Sequence, residues 1–270
     1  MKFSVLLSIF YKESPEFLQE CFNSILSQTL QPNEIILVKD GPITNELESV
    51  ITEYASLMPM LKIIPLTENQ GLGKALNEGL KHCSYDLVAR MDTDDICKPQ
   101  RFEKQINIFR NHPETDVVGS WVDEFTNTPD NILSTRKLPE EQEEIYVYGQ
   151  NRNPINHPTV MFRKSKVMSA GGYLHFPLFD DYYLWVRMLL NGAKFYNIQE
   201  SLLYFRASED MFKRRGGFSY AKTEVKFLWK IHTLGYVSLL STLKNIIIRF
   251  SIRVMPNSIR SWAYKRLLRK

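Results

Sequence analysis

The chain has 270 residues, 44% hydrophobic and 24% charged, with a formal net charge of +4. The length suits one large α/β domain, or one domain with an appendage, and the composition is that of a soluble globular protein. No stretch approaches the roughly 20 apolar residues of a membrane span. The odd set Cys21, Cys83 and Cys97 has no metal-like spacing and fits reduced thiols of a cytosolic protein, not a disulfide framework.

Met1-Lys2 precedes an apolar run over 3–10 that ends at Tyr11-Lys12-Glu13 without a small-residue cleavage site. A buried first strand, Phe3–Ile9, is predicted there in place of a signal peptide. Pro15 opens a helix in which Phe17, Leu18, Cys21, Ile25 and Leu26 recur at helical spacing. A second strand covers 34–38 and ends at Asp40-Gly41-Pro42. Helix 47–54, strand 61–65, helix 71–81, strand 87–91 and helix 99–110 follow. Strands and helices that alternate through short connections predict a mostly parallel sheet covered on both faces. Ligands then bind beyond the carboxyl ends of the strands. Residues 127–131 and 140–144 are expected to be solvated connections. A strand at 157–163, a break at Gly171-Gly172, a helix at 179–190 and short strands near 194–198 and 203–206 complete the pattern. After Glu224 the chain has ten Lys and Arg residues and no Asp or Glu, so residues 211–270 are set apart as a basic, amphipathic helical region.

Directly after an apolar strand stands Met91-Asp92-Thr93-Asp94-Asp95. Three carboxylates within four residues repel one another unless a cation lies among them, and Mg²⁺ or Mn²⁺ takes oxygen ligands while leaving positions for phosphate. The alternative is a helix cap, for which a single Asp suffices. Asp40 is either a turn residue before Gly41 or a ligand contact. Gln70-Gly71-Leu72-Gly73-Lys74 opens a helix, where free amides and Lys74 attract an anion, although ordinary helix starts share this pattern. Asp180-Asp181 begin another helix, as caps or as a general base held ionised by the helix dipole. Helical geometry puts Asp181 on a face with Trp185, with Leu184 beside it, a face expected to wall an acceptor pocket. His157 before Pro158 is a core histidine or a substrate contact. Lys213-Arg214-Arg215-Gly216-Gly217 is a solvated loop or one that closes on a leaving diphosphate.

In this order the segments Ser4–Ser8, Ser24–Thr29, Glu34–Gly41, Glu68–Leu72, Asp92–Asp95 and Asp180–Trp185 resemble the family 2 glycosyltransferases of the GT-A fold, over roughly residues 3–210. Bacterial O-antigen, capsule and exopolysaccharide enzymes are the most similar in pattern. The resemblance implies a catalytic domain over 1–210, with a nucleotide-sugar half at 1–120 and an acceptor half at 121–210. It implies that Ser8 and Phe10 border the nucleobase, that Asp40 meets the uracil edge and Asp92 the ribose side, that Asp94 binds Mn²⁺ or Mg²⁺, and that Asp181 is the base. Three positions depart from the family pattern: Phe10 for Tyr, Leu76 for Arg and Asp180 for Glu. With Leu76 in place of Arg, Lys74 is expected to take over an anionic contact. Arg214, Arg215, Asp180 and His157 are further candidates for diphosphate or acceptor contacts. The Gln-x-x-Arg-Trp signature of processive synthases is absent, which favours addition of a single sugar.

The expected substrates are a UDP-hexose and a polyprenyl-diphosphate-linked saccharide. The expected location is the cytoplasmic face of the cell membrane, where the basic tail meets anionic lipid. A sugar-phosphate nucleotidyltransferase would need a glycine-rich basic loop after the first strand, where this chain has Phe10-Tyr11-Lys12-Glu13. A nucleic-acid-binding protein would interleave its basic tail with stacking aromatics, whereas this tail carries Ile246-Ile247-Ile248, Leu267 and Leu268. Neither alternative explains the ordered acidic clusters, and no nucleic-acid partner is expected.

Overall fold

The computed structural model describes residues 1–207 and 216–255. The first four long strands are β1 (Phe3–Ile9), β2 (Glu34–Lys39), β3 (Leu61–Pro65) and β4 (Leu87–Arg90). They pair in parallel, with β1 between β2 and β4 and β3 outside β2. Side chains alternate across β1 and β2. Phe3, Val5, Leu7, Ile9, Ile35 and Leu37 enter one core with α1 (Pro15–Leu26), α2 (Asn45–Leu57) and α4 (Arg101–Asn111). Leu6, Ile36 and Val38 enter the other with α3 (Leu72–His82) and α7 (Asp180–Leu190). A strand buried on both faces has no polar side to present, and that is why these segments are continuous apolar runs.

Beyond β4 the sheet becomes mixed. β8 (Met161–Arg163) lies antiparallel to β4, and β6 (Val117–Phe125) antiparallel to β8. β9 (Phe195–Arg206) runs parallel to β6, and the short β5 (Ile96–Cys97) closes the far edge beside β9. β7 (Ile132–Arg136) is a branch on β6. The sequence pattern offered no strand for β5, β6 or β7, and three further segments differ from it. The two short strands near 194–198 and 203–206 are one strand, β9, whose register against β6 shifts at Ser120–Trp121 and Trp121–Asp123. Exposed Gln199 and Glu200 interrupt its apolar alternation without ending it. The segment 157–163 divides into a 3₁₀ turn, His157–Thr159, and β8. Residues 142–149, expected in part to be a solvated connection, form α5, which buries only Ile145 and Gly149 and therefore shows almost no helical stripe.

α6 (Lys164–Ser169) joins β8 to the Gly171-Gly172 break. α8 (Phe218–Thr233) packs into the same core as α7, where Phe227 stacks on Phe179 with centroids 4.6 Å apart. α9 (Leu239–Val254) lies against α8.

Close packing of α3 on the sheet depends on Gly79. A Cβ there would stand 2.3 Å from Leu6 Cδ1 and 2.8 Å from Val38 Cγ2. Gly79→Val should therefore cost about 1–3 kcal/mol by overpacking, read as a lower urea midpoint at unchanged slope. An unaltered midpoint would contradict this contact.

Candidate active site

The parallel strands deliver three loops side by side. Asp40 N donates to Ile9 O at 2.8 Å and Met91 N to Leu6 O at 3.1 Å, so the segments after β1, β2 and β4 leave the sheet together. The acidic turn after β4 is held from two directions. Arg90, fully buried, grips Asp92 with both terminal nitrogens, Nη1 to Oδ2 at 2.7 Å and Nη2 to Oδ1. From the end of β9, Arg206 donates its backbone N–H to Asp95 Oδ1 at 2.9 Å and its Nε–H to the Asp94 carbonyl at 2.9 Å. Its guanidinium lies 3.8 Å above the Phe17 ring of α1 and also pairs with Glu20.

Asp92 is the carboxylate with a cation beside it. Burial, then the charges of Asp92 and Glu13, push the Asp94 carboxyl up to about 7. Asp95 is fully buried and is likewise pushed well above the carboxylate range, by burial and then by Asp94 and Asp92. Its Oδ2 has no hydrogen-bond partner among the described residues. Glu13 accepts from Thr93 Oγ1 at 2.7 Å and from Ser14 N at 2.9 Å, and burial raises its pKa too. Asp92, Asp94 and Asp95 offer one oxygen each within 4.8 Å of one another. Crowded carboxylates with an unpartnered oxygen fit a divalent cation, which supplies the missing positive charge.

After β2, Asp40 is buried and accepts from Gln70 N at 2.7 Å and Gly71 N at 3.0 Å. Two of the amides that sequence offered to an outside anion, those of Gln70 and Gly71, are thus taken by the protein's own carboxylate. Gly41 lets the turn close on the 68–69 segment: its φ is +83°, and a Cβ would lie 2.6 Å from Asn69 N. Lys74 is exposed one turn into α3, Ser8 is half-buried at the end of β1, and Phe10 is 40% exposed, edge-on to Tyr11.

The two acids opening α7 do different things. Asp180 Oδ1 accepts from Phe176 N, faces His175 Nδ1 at 3.6 Å, and closes the loop before its own helix. Its Oδ2 comes to 3.3 Å from the place a Cβ on Gly73 would occupy, which brings α7 against the start of α3. Asp181 accepts from Asn153 Nδ2 at 2.7 Å. The expected pocket wall is overturned: Leu184 and Trp185 are wholly buried in the core, because α7 packs that face onto the sheet. His157 lies between Tyr173 and Trp185 and bonds the Tyr173 hydroxyl at 2.9 Å; burial, then Arg90, hold it well below the usual imidazole range. It has the environment of a neutral, packed histidine. Burial raises the Tyr173 hydroxyl pKa, and the charges of Arg90, Asp181 and Asp92 act on it more weakly. Arg214 and Arg215 lie outside the described residues.

Sequence reading did not single out Arg90, Glu13, Asn153, Tyr173 or Arg206. Arg90 alone left a signal, as a lone cation ending an apolar strand just before three acids. The others act across long sequence separations.

The profile of glycosyl transferase family 2 matches residues 6–170. The chain is 42% identical over 264 residues to the amylovoran biosynthesis glycosyltransferase AmsE of Erwinia amylovora, covering 98% of each. It is 40% identical over 269 residues to the UDP-Gal:alpha-D-GlcNAc-diphosphoundecaprenol beta-1,3-galactosyltransferase of Escherichia coli, covering 100% of this chain and 97% of that one. It superposes on the mannosyltransferase PcManGT from Pyrobaculum calidifontis in complex with GDP-Man and Mn²⁺ with a TM-score of 0.63 at 16% identity, covering 98% of this chain and 80% of that one. The architecture is the GT-A glycosyltransferase fold, in which an acidic turn ends a central parallel strand. The chain belongs to glycosyltransferase family 2 and resembles bacterial polysaccharide glycosyltransferases.

The acidic turn makes stability depend on pH in a definite direction. Because the Asp94 pKa rises from 3.8 to about 7 on folding, the folded chain holds the proton more tightly. This contribution is fully present below the ordinary carboxylate pKa and is lost as pH rises through about 7. Metal-free protein should thus lose melting temperature between about pH 4 and pH 7, and Asp94→Asn should lose less. Mn²⁺ should raise the wild-type melting temperature more at the higher pH. Equal pH slopes for the two proteins in a thermal melt would refute the assignment.

Proposed function

We propose that the protein transfers a single sugar, with inversion, from a UDP-hexose to a polyprenyl-diphosphate-linked saccharide at the cytoplasmic face of the membrane. The observation that carries this reading is the pairing of Asp181 with Asn153, together with an acidic turn in which Arg90 neutralises Asp92 while Asp94 and Asp95 stay crowded. The Escherichia coli relative's name specifies a UDP-sugar and a diphosphoundecaprenol-linked acceptor, and that relative is matched over nearly its whole length. The substrate class proposed here follows it.

In this reading Ser8 and Phe10 border the nucleobase, while Asp40 and Asp92 contact the uracil and ribose. Asp40 keeps lone pairs for such a contact beyond those engaged by Gln70 and Gly71. Lys74 faces the anionic side of the donor. A divalent cation, Mn²⁺ as in the PcManGT complex or Mg²⁺, would be held by Asp94 with Asp92 and Asp95 alongside, and would stabilise negative charge on the departing diphosphate. The acceptor hydroxyl oxygen attacks the anomeric carbon as the bond to the diphosphate oxygen breaks, and that electron pair leaves with UDP. Asp181 takes the hydroxyl proton. Asn153 orients the Asp181 carboxylate, and Asp180, engaged by Phe176 N and facing His175, closes the loop that leads into α7.

Asp181→Asn should lower turnover by about 10²–10⁴ while UDP binding persists. Asp180→Asn should act mainly through stability, by weakening the bond from Phe176 N that closes the loop before α7, at a cost of about 0.5–1.5 kcal/mol. Turnover and UDP affinity of both variants decide the matter: near-native turnover in Asp181→Asn rejects it as the base. Asp94→Ala should abolish turnover, and EDTA should do so reversibly in the native enzyme. Full activity after metal stripping would remove the cation from the reading.

A further inference from the structure

α9 is an inside-out helix. Leu240, Leu243, Ile247 and Val254 recur at spacings that, at 100° per residue, fall within one narrow sector. All four are exposed, Leu240 by 81% and Ile247 by 68%, and Leu239 and Ile248 flank them in the open. The opposite sector holds Thr242, Asn245, Arg249 and Arg253, and this polar side faces the protein. Asn245 Nδ2 donates to Gln150 O at 3.2 Å, Arg249 reaches Glu224 and Asn151 O, and Arg253 Nε meets Glu224 Oε2 at 2.8 Å. A helix on the surface of a soluble domain does the reverse, burying its apolar stripe and hydrating its polar one.

We propose that the outward face of α9 is seated in the headgroup and acyl boundary of an anionic bilayer, and that this contact delivers the lipid-linked acceptor to the transfer site. The second part rests on the function proposed above. Charge selects the occupant. Residues 225–270 contain ten Lys and Arg and no Asp or Glu. Glu224 engages Arg249 and Arg253, which leaves Lys226 and Lys230 of α8 and Lys244 of α9 exposed to meet headgroups. A second copy of the chain would set this positive surface against itself, whereas anionic lipid complements it. Exposed lysines can also extend their stems along apolar surface while their ammonium groups stay hydrated.

The position of α9 fits that role. It holds the carbonyls of Gln150 and Asn151, and two residues further on Asn153 holds Asp181. Tyr236, just before α9, bonds the carbonyl of Tyr146 at 2.8 Å on the helix that leads into this segment. The helix that carries the apolar face and the start of α7 are therefore joined by one short stretch of chain.

The test uses the full chain and flotation with vesicles of phosphatidylethanolamine and phosphatidylglycerol. Leu240 and Ile247 are exposed, so the double variant Leu240→Gln/Ile247→Gln should keep the wild-type melting temperature. Its partition to vesicles should fall about tenfold or more, as expected when two large apolar side chains no longer enter the boundary. Transfer to a long-chain polyprenyl-diphosphate acceptor in vesicles should fall in step, while transfer to a short-chain water-soluble acceptor stays within about twofold. Undiminished flotation of the double variant overturns the proposal. So does a change from dimer to monomer with flotation intact, which would make the face a contact between copies. If neither acceptor is used but flotation falls, the function reading fails while the bilayer contact stands.

Discussion

Four carboxylates, those of Glu13, Asp92, Asp94 and Asp95, converge on the turn after β4, and two arginines decide what each of them does. Arg90 sits under the sheet and neutralises Asp92 with a two-pronged contact. Arg206 fixes the turn's shape, its backbone N–H on Asp95 and its side chain on the Asp94 carbonyl and the separate carboxylate of Glu20. Among the described residues, no side-chain cation is therefore in contact with the carboxylate of Asp94 or Asp95. Two like charges in a poorly hydrated turn raise each other's pKa, and a bound divalent ion reverses that cost. Much of the surrounding structure follows from this demand. The end of β9 must reach the turn, α1 must supply Phe17 and Glu20 to hold Arg206, and the segment after β1 must bring Glu13 to Thr93.

α3 couples this turn to the other half of the site. Its N-terminus is an anion-seeking end, and the protein supplies Asp40 from β2 to satisfy it. From the second turn of the same helix, Asn77 clasps the Tyr173 backbone in both directions, donating to its carbonyl at 2.7 Å and accepting from its N–H at 2.8 Å. Tyr173 in turn meets His157 and lies near both Arg90 and Asp181. The two halves are thus registered by one helix with polar contacts at fixed positions, which suits a reaction that needs donor and acceptor aligned in a common geometry.

The sequence reveals the parallel half clearly because strands buried on both faces and amphipathic helices leave strong periodic patterns. It hides β6, where Ser120, Asp123 and Glu124 are buried in the strand and break its apolar alternation. Those polar groups find partners only in the folded chain: Lys98 and Thr135 for Asp123, Ser134 for Glu124. The candidate site follows the same division. Asp40, Asp92, Asp94 and Asp181 are visible because acids at strand and helix ends are conspicuous. Which carboxylate is neutralised, capped or left crowded depends on Arg90, Gln70, Phe176 and Asn153, and only tertiary contact assigns those partners. Trp185 shows the opposite error, since helical spacing correctly groups it with Asp181 yet cannot say that the shared face turns into the core.

The orientation of α9 is set by Glu224, the last acid in the chain. Glu224 is 1% exposed, and its carboxylate meets both Arg249 and Arg253. Rotating α9 to bury Leu240 and Ile247 against the protein would carry both arginines away and leave Glu224 buried without a counter-charge. Breaking a buried pair in this way costs about 3–5 kcal/mol, comparable to burying one or two leucine-sized side chains. With the two terms so close, the apolar side stays outward where a second apolar phase is present to receive it. The ion pair that keeps the helix on the enzyme is thus the same one that turns its apolar face away from it.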